Sequence, residues 1–110
     1  MSHSDTLLDW PKLFAQYSQP ALLADWLAQV LDGLAQEQQL LNQASELGEI
    51  QVAQRIQLQG LAAVVCSPRL TYLLEQSKHS DPAQHPELIA QCQACLTAIE
   101  HELQRYLQQQ

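Results

Sequence analysis

The chain has 110 residues, 46% of them apolar, with only three glycines and five prolines. That is one domain's worth of sequence with enough apolar content for a modest core, which excludes a disordered tail. Five Lys and Arg stand against twelve Asp and Glu, a formal net charge of −7, so nucleic acid and anionic membrane surfaces, which need a basic stripe, are excluded and other proteins are the expected partners.

Met1 to Thr6 show neither the basic nor the apolar region of a signal peptide. No later apolar run approaches the ~20 residues needed to span a bilayer. Glutamine, leucine and alanine dominate, and strand-favouring residues are scarce, so an all-α fold is expected. Asp9-Trp10-Pro11 reads as a helix start, with Asp9 as cap, and that short helix runs to about Tyr17. Pro20 restarts the chain behind a cap at Ser18 or Gln19. Leu23, Trp26, Leu27, Val30, Leu34 and Leu41 then recur at helical spacing, and Gly48 closes the helix at about Leu47.

A second long helix is expected from about Glu49 to Val65, with Leu58, Leu61 or Ala62, and Val65 facing inward. Ser67-Pro68 opens the next one, to about Ser77, with Leu70, Leu73 and Leu74 inside. Asp81-Pro82 and His85-Pro86 predict a substantial loop over Lys78 to His85. The last helix runs from Pro86 to about Leu107, with Leu88, Cys92, Cys95 or Leu96, Ile99, Leu103 and Tyr106 on its apolar stripe. A short N-terminal helix followed by four longer ones on short turns implies an antiparallel up-and-down four-helix bundle over residues 8–107.

The segment Val52 to Ser67 carries Ile56-Gln-Leu58-Gln59-Gly60, then Ala62-Ala63-Val64-Val65-Cys66-Ser67. It resembles the signature of histidine phosphotransfer domains, His-x-Leu-Lys-Gly followed by small and apolar residues and then Gly-Ala. Leu58 and Gly60 match the leucine and the first glycine, and Leu73-Leu74-Glu75 resembles the family's next helix. The departures fall on the chemistry. Ile56 stands at the phosphoacceptor position, Gln59 at the lysine and Cys66 at the second glycine. A relay domain needs an imidazole nitrogen to take the phosphoryl group from an aspartyl phosphate, and isoleucine has no nucleophilic atom. No shift of register supplies one, because the helix from Glu49 to Val65 contains no histidine; the four histidines are His3, His79, His85 and His101.

With Leu58 and Val65 inward, the outward strip of that helix is Val52, Ile56, Gln59, Gly60 and Ala63. In phosphotransfer domains the corresponding region receives a receiver domain. The resemblance therefore implies a non-catalytic adaptor or inhibitor in bacterial two-component signalling. It would dock a response-regulator receiver domain or a histidine kinase by surface complementarity, without enzymatic activity, cofactor or metal. The alternatives are a phosphocarrier using a displaced histidine and an unrelated helical scaffold. The same strip also suits a homodimer. Cys92 and Cys95 lie one turn apart on an apolar stripe, where cysteine acts as a small hydrophobe, and lack the second ligand pair a zinc site requires. Three cysteines, an odd number, do not form a disulfide framework, so a reducing, cytoplasmic compartment is expected. Trp10 and Trp26 are expected as core anchors.

Overall fold

A computed structural model describes residues 5–109. Five α-helices follow one another: α1 (Trp10–Gln16), α2 (Pro20–Leu47), α3 (Val52–Val64), α4 (Pro68–His79) and α5 (His85–Gln108), with a 3-10 turn at Pro82–Gln84 ahead of α5. No β-strand occurs among the described residues. His3 lies outside them.

Local chemistry sets most of the boundaries. The Asp9 carboxylate accepts from the Lys12 backbone N–H at 3.2 Å and caps α1. Ser67 caps α4 in the same way, its hydroxyl accepting from the Leu70 N–H at 3.2 Å. Each satisfies one of the orphan amides at a helix start. Gln19 precedes α2 in extended conformation with no side-chain cap, and Pro20 makes the first turn. At the far end of α2, Gly48 adopts φ 82°, and its N–H and that of Glu49 both reach the Ala44 carbonyl, at 2.8 and 3.2 Å. Only glycine enters that left-handed region without strain.

Three boundaries differ from the sequence reading. The third helix begins at Val52 instead of Glu49, because the chain leaving Gly48 first buries Ile50, which is 5% exposed. The fourth runs on to His79 instead of stopping at Ser77. Lys78 and His79 lie within reach of Glu75 one turn back, at 3.9 and 3.5 Å, and the positive charge of Lys78 suits a helix C-terminus. The expected loop from Lys78 to His85 accordingly shrinks to a bend and one 3-10 turn, because prolines at helix starts are tolerated where the missing N–H has no partner to lose.

The core is built from leucines at helical spacing. Leu23, Leu27, Leu34 and Leu41 of α2 are buried, facing Leu70, Leu73 and Leu74 of α4 and Ile89, Leu96, Ile99 and Leu103 of α5 in one cluster. Each such side chain contributes about 1.5–3 kcal/mol when fully buried. Cys92 and Cys95 are buried among them, and both Cys95 and Leu96 point inward. On α5 the stripe starts at Ile89; Leu88 sits at its margin, half-buried. Trp26 and Val30 are likewise half-buried at the edge of the core, with Trp26 stacked on Tyr17 at 6.2 Å. Trp10 lies edge-on to Tyr106 of α5 at 4.9 Å and holds α1 in place.

α2 packs against α5, α3 and α1, and α4 packs against α3 and α5. Polar pairs give the directions. Gln38 donates to Thr97 (3.3 Å) and Gln93 to Asn42 (3.0 Å), so partner numbers on α5 fall as those on α2 rise, and the two run antiparallel. No helix among the described residues is long and apolar enough to cross a membrane.

Two glycines separate backbone from packing effects. Gly48→Ala, at positive φ, is expected to lower unfolding stability by about 1 kcal/mol. Gly60→Ala, on the open face of α3 where a Cβ meets nothing within 4 Å, is expected to raise it by about 0.5–1 kcal/mol. Urea denaturation of the two variants checks both signs.

Candidate functional site

The rotation of α3 about its own axis decides which residues it shows to solvent, and one side chain does much to set it. Gln54 is 9% exposed. Its Oε1 accepts from the Gln51 backbone N–H at 2.9 Å, half of a reciprocal cap in which the Gln51 side chain accepts from the Gln54 N–H. Its Nε2 donates across the helix interface to the Leu40 carbonyl at 3.5 Å. Gln54, Leu58 and Ala62 thus point inward, with Val65 buried just past the helix end. Two residues along a helix is a turn of about 200°, so Val52, Ile56, Gly60 and Ala63 point away.

Val52 and Ile56 are each 61% exposed, the largest exposure among the big apolar side chains of the described residues. Gly60 and Ala63 are exposed beside them, while Gln59 lies at the margin of the strip, half-buried. The five strip residues read from the sequence are therefore on one side of α3, with bulky members near its start and small ones near its end. Val64, 37% exposed, extends the apolar face, and Leu47 at the end of α2 is 58% exposed.

At the small-residue end the face opens into a groove of about 770 Å³, lined by Ala62, Ala63, Cys66, Pro68 and Tyr72, with Asp9, Lys12 and Glu75 among its polar residues. Sequence reasoning missed it because its walls come from three separate elements. The segment before α1 is tied to the α3–α4 junction by two backbone bonds, Asp9 N–H to the Cys66 carbonyl (2.7 Å) and Arg69 N–H to the Thr6 carbonyl (2.9 Å). An Asp5–Arg69 ion pair at 3.7 Å lies alongside. Cys66 itself takes φ 54°, the only non-glycine with positive φ among the described residues. Such a backbone is what a glycine ordinarily supplies.

Burial holds all three thiols of the chain above their ordinary range. Burial raises the Cys66 thiol above its ordinary value, with Lys12 opposing and Asp9 adding to the shift, and the Sγ lies 3.8 Å from the Gln16 Oε1. Burial pushes Cys92 up to about 12, with Cys95 adding to it, and Cys95 to about 11. Among the described residues, no three His, Cys, Asp or Glu side chains converge to hold a metal.

The described histidines lie on α4 and α5, not on α3. His79 ends α4 and His85 opens α5, so both are helical instead of sitting in a long loop. His79 is paired with Glu75, and His101 is exposed on α5 between Glu100 and Glu102. Glu37 of α2 comes closer to the face, through the side chain of Gln57, the residue after Ile56. Its Oε2 is buried without a hydrogen-bond partner, and burial raises the carboxyl above 4.5 against the opposing Gln57 bond.

Compared with protein-family models, with curated proteins and with solved structures, the chain matches none.

The raised Glu37 carboxyl has a directional consequence. A group whose folded pKa is raised contributes stability that is complete below its unfolded value near 4.5 and lost as pH rises through the folded value. Glu37→Gln removes that loss. Thermal melts are expected to show the variant gaining on the parent chain as pH goes from about 4 to about 7; a constant gap would contradict the burial of an ionising carboxylate.

Proposed function

We propose that this chain is a non-catalytic protein-binding module of the histidine phosphotransfer type. In this reading α2 to α5 form an antiparallel four-helix bundle, capped by α1. It works as an adaptor or inhibitor in a bacterial two-component phosphorelay, docking a receiver domain or a histidine kinase through the α3 face. The observation that carries this reading is the exposure of Ile56. It projects from mid-helix, at the position where the resemblance puts a phosphoacceptor, and exposes a branched apolar side chain in place of an imidazole. Exposed apolar side chains that cluster on one face mark contact surfaces more often than chance.

Three further features support it. Helix order and the short α3–α4 junction agree with the resemblance. Cys66, aligned with the family's second glycine, adopts a left-handed backbone. α3 offers no nucleophile that an aspartyl phosphate would transfer to, since its polar side chains are Gln54, Arg55, Gln57 and Gln59. Binding is thus by shape and apolar burial, and signalling is altered by occupying the partner's surface.

Titration calorimetry against receiver and kinase domains of the same cell tests the proposal. One of them is expected to bind, and Ile56→Asp, which places a charge against the partner's apolar surface, is expected to weaken it at least tenfold, about 1.4 kcal/mol. Unchanged affinity, or binding to none of these domains, would remove the reading. Ile56→His combined with Gln59→Lys restores the two side chains that the resemblance lacks. Uptake of radiolabel from a phosphorylated receiver by that double variant, and none by the parent chain, is the expected outcome.

A further inference from the structure

The inward positions of α2 alternate four and three residues apart, the spacing of a packed helix seam: Leu23, Leu27, Val30, Leu34, Glu37, Leu41 and Ala44. Glu37 is the one member of that seam that is not apolar. It does not turn fully outward to escape the core. The residue is half-buried, and its Oε2 is covered, with no hydrogen-bond partner among the described residues. The Gln57 side chain of α3 bonds to the same carboxyl.

That bond has a companion. Gln54 of α3 donates to the Leu40 carbonyl of α2. Residues 54 and 57 stand three apart on one helix, and 40 and 37 stand three apart, in the opposite sense, on the other. The two bonds are therefore successive rungs between antiparallel helices, one made by an amide and a backbone carbonyl, the other by an amide and an ionisable acid. We propose that Glu37 is a proton-controlled latch for α3: with its carboxyl neutral the helix is held down on α2, and with it ionised the segment around Gln57 lifts and admits water to the buried oxygen.

The chemistry of the rung gives the direction. A neutral carboxyl both donates and accepts, so it can exchange two hydrogen bonds with one amide. An ionised one only accepts; Gln57 then serves a single oxygen while the charge stays partly buried, which is costly. Seated α3 thus favours the proton. The latch is fully closed below 4.5 and is released as pH rises through the higher value that burial imposes, the Gln57 bond opposing but not cancelling it.

The charged groups of the packed elements are few. Glu37 is the only one among residues 33–45 of α2, and Arg55 the only one of α3. The Gln38–Thr97 and Gln93–Asn42 pairs set Ala98 level with Glu37, so the titratable residues nearest to it along α5 are Glu100 and His101. At the end of α1, whose one charged residue is Lys12, Tyr17 stacks on Trp26, about three turns of α2 away from Glu37. The latch concerns the seating of α3 alone and does not rest on receiver or kinase binding.

NMR of the full chain from about pH 4 to about pH 8 tests it, following the Glu37 carboxyl carbon and amide exchange over residues 54–59. The Glu37 midpoint is expected above 4.5, with α3 amide signals moving at the same midpoint. Exchange in α3, taken as a ratio to Glu37→Gln at each pH, is expected to rise at least about twofold across it. His101→Gln is expected to leave this pattern unchanged. Glu37→Leu, which completes the apolar seam, is expected to abolish it and keep α3 protected throughout. Signals of α3 that do not follow Glu37, a ratio flat with pH, or a pH-dependent ratio persisting in Glu37→Leu would overturn the proposal.

Discussion

The orientation of α3 depends on a buried amide. Gln54 sits at the α2–α3 interface with its oxygen committed to the start of its own helix and its nitrogen to the Leu40 carbonyl. A buried amide that loses either partner carries an unsatisfied polar group, at about 1–3 kcal/mol. The bond to Leu40, which crosses to α2, therefore opposes rotation of the helix in a way that leucine packing alone does not, since apolar contacts are non-directional. With Gln54 inside, Ile56 is outside. Everything argued for the α3 face follows from that one angular fact.

Much of the helical layout was legible in the sequence because the signals are local. Asp9, Ser67 and Gly48 act within a turn of themselves, and their capping geometry is as the residue types require. The exposed strip was legible for the same reason: Leu58 and Val65 define an inward side, and Val52, Ile56, Gly60 and Ala63 fall opposite by helical arithmetic alone. Ile56 was the most informative position, since an isoleucine there is explained neither by burial nor by nucleophilic chemistry.

What the sequence concealed depends on contacts between distant segments. Ile50 reads as part of a helix, yet the chain uses it to seal the core before α3 begins. The prolines near Asp81 and His85 read as loop formers, but in position one of a helix they cost little, so α5 starts early. Gln54 reads as surface polar residue, and its burial is intelligible only once Leu40 is known to face it. The groove has no signature at all, since Lys12, Ala63 and Tyr72 meet only after α1, α3 and α4 have packed.

The lacing of the first described residues across the α3–α4 junction bears on how the chain assembles. Thr6 and Asp9 bond to the segment around Cys66 and Arg69, and Trp10 rests on Tyr106 of the last helix. These contacts join residues that lie far apart in the sequence. Contacts of such long sequence separation carry the largest loop-closure entropy and form late. Leu8 and Leu13 are both buried, and α1 also packs against its neighbour α2, so the N-terminal segment joins the core through one local and several distant contacts.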